Sequence, residues 1–138
     1  MEAQKLPLMV LYNTGESWLL EKDATPIAIF LGYEEDAVYV KNISKTDYVT
    51  AREICDQMEI ENLFWRIPDE KQLQKLLNRM EDFNKTAELL GVELLKNSKY
   101  WSCKKLQSGI RLGVNFALQK EVFLSEEDVA FTRPFLRM

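Results

Sequence analysis

Phe64-Trp65-Arg66-Ile67-Pro68-Asp69-Glu70-Lys71-Gln72-Leu73 is the stretch whose reading decides the fold class, because the chain changes character inside it. Up to Ile67 the run is extended: a proline at 68 disfavours helical dihedrals in the residue before it. Asp69 then offers a carboxylate to cap a helix, and Gln72 can reach back to the capping residue's own N–H. Leu73, Leu76, Leu77 and Met80 follow at steps of three and four, the apolar stripe of a helix laid on a core. The helical period resumes through Phe83, Ala87 and Leu90, and Gly91 is well placed to end it.

Working outward, the preceding segment is also helical. Tyr48, Ala51, Cys55 and Met58 share one face, widened by Ile54, which predicts an amphipathic helix over 46–58. Before it, residues 6–40 alternate apolar runs with turn residues: Leu8 to Tyr12, Asn13-Thr14-Gly15, Trp18 to Leu20, Pro26 to Leu31 and Ala37 to Val40. Such runs read as strands joined by hairpin turns. After Gly91 strand character returns at Tyr100-Trp101, and Leu112, Val114 and Phe116 alternate with Arg111, Gly113 and Asn115. Val122 to Leu124 and Val129 to Phe135 predict two further strands. Strands, then two to three helices, then strands is the order of an α+β domain rather than of a parallel βαβ sheet. The expectation is one domain over 1–138, with antiparallel sheets built from both chain ends and the helices of 46–90 packed on one side.

Composition narrows the chemistry. The 138 residues are 46% hydrophobic and 11% aromatic, enough for one sizeable core. A net charge of −4 gives no field to gather phosphate backbones, so nucleic acid is not an expected partner. Histidine is absent, which removes histidine triads and histidine metal sites. The two cysteines, Cys55 and Cys103, have no C-x-x-C partner and read as reduced thiols. No apolar run approaches the roughly 20 residues of a membrane span. The N-terminal apolar run, Leu6 to Leu11, is too short for the core of an export signal, so the chain as given reads as cytoplasmic. A chain trimmed of such a signal would be an exported protein.

Three short motifs carry a resemblance. Trp65-Arg66-Ile67-Pro68-Asp69 with Gln72-Leu73, then Tyr100-Trp101-Ser102-Cys103, then Arg133-Pro134 follow one another in order. They resemble a family of uncharacterised bacterial domains with the pattern W-R-L-P-T-x-x-E-L, Y-W-S-S and V-R-P-V. That family is similar to the C-terminal domain of the Legionella collagen-like adhesin and, more distantly, to C-type lectins and formylglycine-generating enzymes. Upstream, Pro26-Ile27-Ala28-Ile29 and Tyr48 through Ala51 to Cys55 stand where family members carry a P-I-G-V-like strand and a W-x-x-A-x-x-x-C helix, so the resemblance spans nearly the whole chain. Asp69, Gln72 and Cys103 depart from the pattern's threonine, glutamate and second serine; the first two keep capping chemistry, and the third removes a hydroxyl.

The resemblance implies a C-type-lectin-like fold. Trp65 and Trp101 then read as core anchors between helix and sheet, and Pro68, Asp69, Tyr100 and Pro134 as structural companions. Arg66 and Arg133, each ahead of a proline, can stack on an indole or bind a carboxylate. Fold analogy places a variable surface after the Trp101 strand, on Lys104, Lys105, Gln107, Arg111 and Asn115. The lectin calcium patterns Glu-Pro-Asn and Trp-Asn-Asp are absent. The expectation is a non-enzymatic, calcium-independent binding or interaction module with no cofactor and no metal, taking an unknown protein or small ligand, with a homo-oligomer as a further option. The alternative is a structural subunit of an assembly such as a phage tail, fimbria or adhesin. A copper-thiolate enzyme like the formylglycine-generating enzymes is disfavoured, because its paired cysteines lie a few residues apart whereas Cys55 and Cys103 are far apart in this sequence.

Overall fold

The computed structural model describes residues 4–137. In chain order its elements are β1 (Lys5–Tyr12), β2 (Gly15–Leu19), β3 (Pro26–Gly32), β4 (Glu35–Tyr39), β5 (Ile43–Thr46), α1 (Tyr48–Gln57), β6 (Glu59–Ile60), β7 (Leu63–Arg66), α2 (Glu70–Asn78), α3 (Met80–Leu90), β8 (Lys99–Gln107), β9 (Ile110–Asn115), β10 (Lys120–Ser125), β11 (Ala130–Thr132) and β12 (Phe135–Leu136). They form a mixed α+β structure with two sheets. One runs β2-β1-β3-β4-β12-β7-β6, the other β10-β9-β8-β11-β5. Strand pairs are antiparallel apart from β8 with β11, where Phe131 lies opposite Tyr100.

The helix boundaries follow from capping chemistry. At α1 the Asp47 carboxylate accepts from the Thr50 N–H, so the helix begins at Tyr48, two residues after the expected start. At α2 the capping box closes in both directions, Asp69 accepting from Gln72 N while the Gln72 side chain accepts from Asp69 N. Helicity breaks at Arg79 and resumes as α3, which ends on Gly91 in the left-handed region, φ 73°.

Two expectations need correcting. The run Val129 to Phe135 is not one strand. Arg133-Pro134 splits it, and proline has no N–H with which to continue a ladder. The chain therefore leaves the five-stranded sheet after Thr132 and joins the seven-stranded sheet at Phe135, which pairs with Val38 and with Arg66. Nor do the helices share one side. Leu73 and Leu76 of α2 and Phe83 and Ala87 of α3 pack with Leu8, Val10, Ile29 and Val38 of one sheet and Tyr100 and Val114 of the other. Tyr48, Ala51 and Cys55 of α1 belong to a separate cluster with Ile67, Trp101, Leu124 and Ala130.

A third cluster occupies the opposite face of the seven-stranded sheet: Met9, Ala28, Phe30, Ala37, Trp65 and Leu136, closed over by Met58, Ile60 and Leu63. β1 and β3 are thus buried on both faces, which is why their apolar runs are continuous rather than alternating. Gly113 marks the tightest packing. A Cβ there would stand 2.5 Å from Leu124 Cδ1 and 2.7 Å from the Tyr100 carbonyl, so β9 can cross beside Trp101 only with glycine at this point. Among the described residues no helix is long and apolar enough to cross a membrane.

Candidate functional site

The three motifs, distant in sequence, meet in space. Pro68 gives its carbonyl to the Cys103 N–H at 2.9 Å, joining the first motif to the second. Phe131 lies opposite Tyr100, and Phe135 lies opposite Arg66, so the last segment stitches both of the others. Pro134 in turn gives its carbonyl to Tyr39 N at 2.8 Å. The prolines interrupt strands, yet their carbonyls still serve as acceptors, and this keeps the neighbouring ladders satisfied.

Arg133 is completely buried. Its Nε donates to the Tyr39 carbonyl at 2.6 Å, Nη1 to Asn42 Oδ1 at 3.2 Å and Nη2 to the Glu93 carbonyl at 2.7 Å. The guanidinium also lies 5.0 Å from the centre of the Phe83 ring. Tyr100 shares the network: its hydroxyl donates to the same Asn42 oxygen and accepts from Lys96 N, each at 2.8 Å. Burial pulls the Arg133 guanidinium down to about 10 and pushes the Tyr100 hydroxyl up to about 12. Every contact is internal, and the side chain presents no surface to a ligand.

Arg66 stands in the opposite situation. It is partly exposed, its Nε donates to the Ile67 carbonyl at 3.2 Å, and its Nη2 makes a weak bond to Cys103 Sγ at 3.4 Å. No carboxylate among the described residues forms an ion pair with it. Neither Arg66 nor Arg133 stacks on an indole. With Phe135 opposite Arg66, the two-residue period of a strand puts Arg137 on the same face, diagonal to Arg66. Arg137 is held by the Trp65 carbonyl at 2.8 Å and by Asp56 at 2.7 Å. Phe64, 52% exposed, shares that face one step further along. Arg66, Gln72, Leu136 and Arg137 line a depression of about 500 Å³. The Gln72 amide is fixed at both ends, by Asp69 N and by Asp36 Oδ1.

A second depression, of about 480 Å³, is lined by Asp69, Glu70, Lys71, Cys103, Lys104 and Lys105. Cys103 links it to the first, since its sulfur touches Arg66. Of the surface expected after the Trp101 strand, Lys104, Lys105 and Gln107 are exposed on β8. Arg111 and Asn115 serve the fold. Arg111 donates to Glu126 at 2.7 Å and to the Cys103 carbonyl at 2.8 Å, and lies 4.0 Å from the Tyr48 ring centre. The Asn115 side chain accepts from Ala117 N and Leu118 N and so closes the turn into β10.

Both motif tryptophans are fully buried. Trp101 does stand between helix and sheet: its Nε1 donates to the Thr46 carbonyl at 2.9 Å, and its ring meets Tyr48 edge-on at 5.4 Å. Trp65 sits among strands, 4.9 Å from the Tyr39 ring, and its Nε1 meets no hydrogen-bond acceptor among the described residues. Cys55 and Cys103 are free thiols. Among the described residues no group of three or more cysteine, aspartate or glutamate side chains is gathered to hold a metal.

Reading the sequence missed Arg137 and Leu136 as site residues and took Gln72 only for a cap. Arg137 is placed beside Arg66 by a strand register spanning most of the chain, and local periodicity holds no signal of that pairing. Compared with known protein families and with curated proteins, the chain matches no family model and no curated relative.

Proposed function

We propose that this chain is a non-enzymatic, calcium-independent binding module of C-type-lectin-like fold, and that its site is the depression between Arg66 and Arg137. The fold reading is supported by the convergence of the three motifs at one junction of the two sheets. The observation that carries the function is the arginine pair itself. Two guanidinium groups occupy one face of the β7–β12 ladder, and Arg66 has no carboxylate of its own. Arg137 is already paired with Asp56, so the donors the fold leaves open are chiefly those of Arg66, and an anion in the depression would engage them. Guanidinium geometry favours a planar carboxylate, and exposed Phe64 offers the ligand's body an apolar contact.

Thermal-shift and NMR titrations with citrate and N-acetylneuraminic acid as carboxylate probes, and N-acetylglucosamine as an uncharged one, test the reading. The carboxylates raise the melting temperature of the natural protein, and Arg66→Ala abolishes the response. Calcium or a chelator leaves the melting temperature unchanged. No response to either carboxylate, or an equal response in Arg66→Ala, overturns it. The second reading, a structural subunit of an oligomeric assembly, is favoured by one observation: Phe123, on an edge strand, is 77% exposed.

A further inference from the structure

We propose that the two depressions are halves of one groove, and that its ligand is a linear dicarboxylate, one end held by Arg66 and the other by Lys104 and Lys105. The proposal rests on the reading of the Arg66 depression as a carboxylate site and names the class of ligand that site takes. Cys103 joins the halves. Its sulfur meets Arg66 Nη2 at 3.4 Å, and the same residue lines the second depression beside Lys104 and Lys105. The capping box of α2 joins them again, because Gln72 lines the first depression, Asp69 lines the second, and Gln72 N donates to Asp69 at 2.8 Å.

Charge sets the groove apart from the rest of the chain. Its two linings hold five cations, Arg66, Arg137, Lys71, Lys104 and Lys105, against the carboxylates of Asp69 and Glu70, in a chain of net charge −4. Arg137 is paired with Asp56, whereas Arg66, Lys71, Lys104 and Lys105 form no ion pair among the described residues. Asp69 caps α2, where the positive end of the helix offsets its charge. An exposed lysine alone is an ordinary surface residue. Here two of them follow directly on Cys103, the residue whose sulfur touches the arginine that the fold leaves without a carboxylate. Residues two apart on a strand are separated by about 7 Å, so an anion at Lys105 lies roughly that far along β8 from the Arg66 end. Extended adipate separates its two carboxylates by a similar distance. The two ends suit different roles: the planar guanidinium orients one carboxylate, and ammonium groups on flexible stems follow the other.

NMR titration of the natural protein with adipate and hexanoate, equal in chain length and differing by one carboxylate, tests the proposal. Adipate should bind about three- to tenfold tighter, the scale of two exposed ion pairs, and should shift the Lys104 and Lys105 amides where hexanoate does not. Lys104→Ala with Lys105→Ala removes that advantage and leaves hexanoate binding unchanged. Lys104→Glu with Lys105→Glu makes hexanoate the tighter ligand, and Arg66→Ala abolishes binding of both. Equal affinity for the two acids, or an adipate preference that survives loss of both lysines, overturns the proposal and leaves the Arg66 carboxylate site standing. Binding of neither acid also overturns it, and the response to the monocarboxylate N-acetylneuraminic acid then shows whether the Arg66 site falls as well.

Discussion

The two arginine–proline corners of this molecule, Arg66-Ile67-Pro68 and Arg133-Pro134, each set an arginine shortly ahead of a proline and end in opposite states. At the Arg133 corner the guanidinium is sealed inside, with three oxygen acceptors and an aromatic face around it. At the Arg66 corner the neighbouring residues provide one carbonyl and a sulfur, and the remaining donor capacity faces a depression. A proline close behind the arginine is common to both, one residue after Arg133 and two after Arg66. What differs is the traffic of other segments. The Arg133 corner lies where the chain passes between sheets, and the ends of β4 and the loop after α3 close around it. Around Arg66 other segments bring the Cys103 sulfur, Gln72, Leu136 and the diagonal Arg137, but no carboxylate pairs with it among the described residues. The residue type therefore does not decide between scaffold and site; the presence of a third segment with acceptors does.

The largest expected effect is at Trp101, which packs with Ile67 of the Arg66 corner. Trp101→Ala should lower stability by about 3–5 kcal/mol in chemical denaturation, through lost transfer energy and a cavity. A variant that melts like the parent would remove Trp101 from the architecture. Arg133→Lys comes next. An ammonium cannot reach the Tyr39, Asn42 and Glu93 acceptors together, and the stranded acceptors should cost about 2–3 kcal/mol. A loss below about 0.5 kcal/mol, the size of an ordinary surface change, would show that the buried corner does not need the planar fork.

Cys55 lies under the Arg66 corner, since its cluster holds Ile67 together with Trp101. Burial, reinforced by nearby Asp56, raises its thiol from 9.0 to about 12. A raised acid favours the protonated folded form, so its contribution is complete below pH 9.0 and is lost as pH climbs through about 12. Denaturation midpoints of the natural protein should therefore fall more steeply above pH 9 than those of Cys55→Ala. Parallel slopes would show that the thiol is not sequestered. The smallest effect is at Arg66: Arg66→Lys should change stability by no more than about 0.5 kcal/mol while weakening the response to carboxylate probes. A loss as large as that of Arg133→Lys would make both corners architecture.

Much of the fold is legible wherever the information is local. The capping box of Asp69 and Gln72, the stripe from Leu73, and the stop at Gly91 all act within a few residues, and they fall where the sequence places them. The α+β order follows from the same periodicities. The break at Arg133-Pro134 was hidden by an apolar run that reads as one strand, and its meaning depends on two sheets that no local window contains. The candidate site is less legible still. Arg66 is visible because a motif singles it out, but Arg137 becomes its neighbour only through the pairing of β7 with β12. Arg111 and Asn115 look like free surface in the sequence because Glu126, Tyr48 and the turn at Ala117 that engage them come from other segments or from turn geometry.

The crossing at Arg133-Pro134 also bears on the order in which the molecule can assemble during synthesis. β11 sits between β8 and β5, and β12 sits between β4 and β7, so both sheets have an interior gap that only residues 130–136 can fill. A nascent chain lacking them can form the β2-β1-β3-β4 part of the first sheet and the helices, but each sheet remains in two pieces, with unpaired edges at β4, β5, β7 and β8. Those edges are long-range pairings, slow to form and open to wrong partners while they wait. Closure of both sheets is therefore a single late event, driven by one short segment, and a ribosome stalled ahead of Ala130 would display the most aggregation-prone form this chain can take.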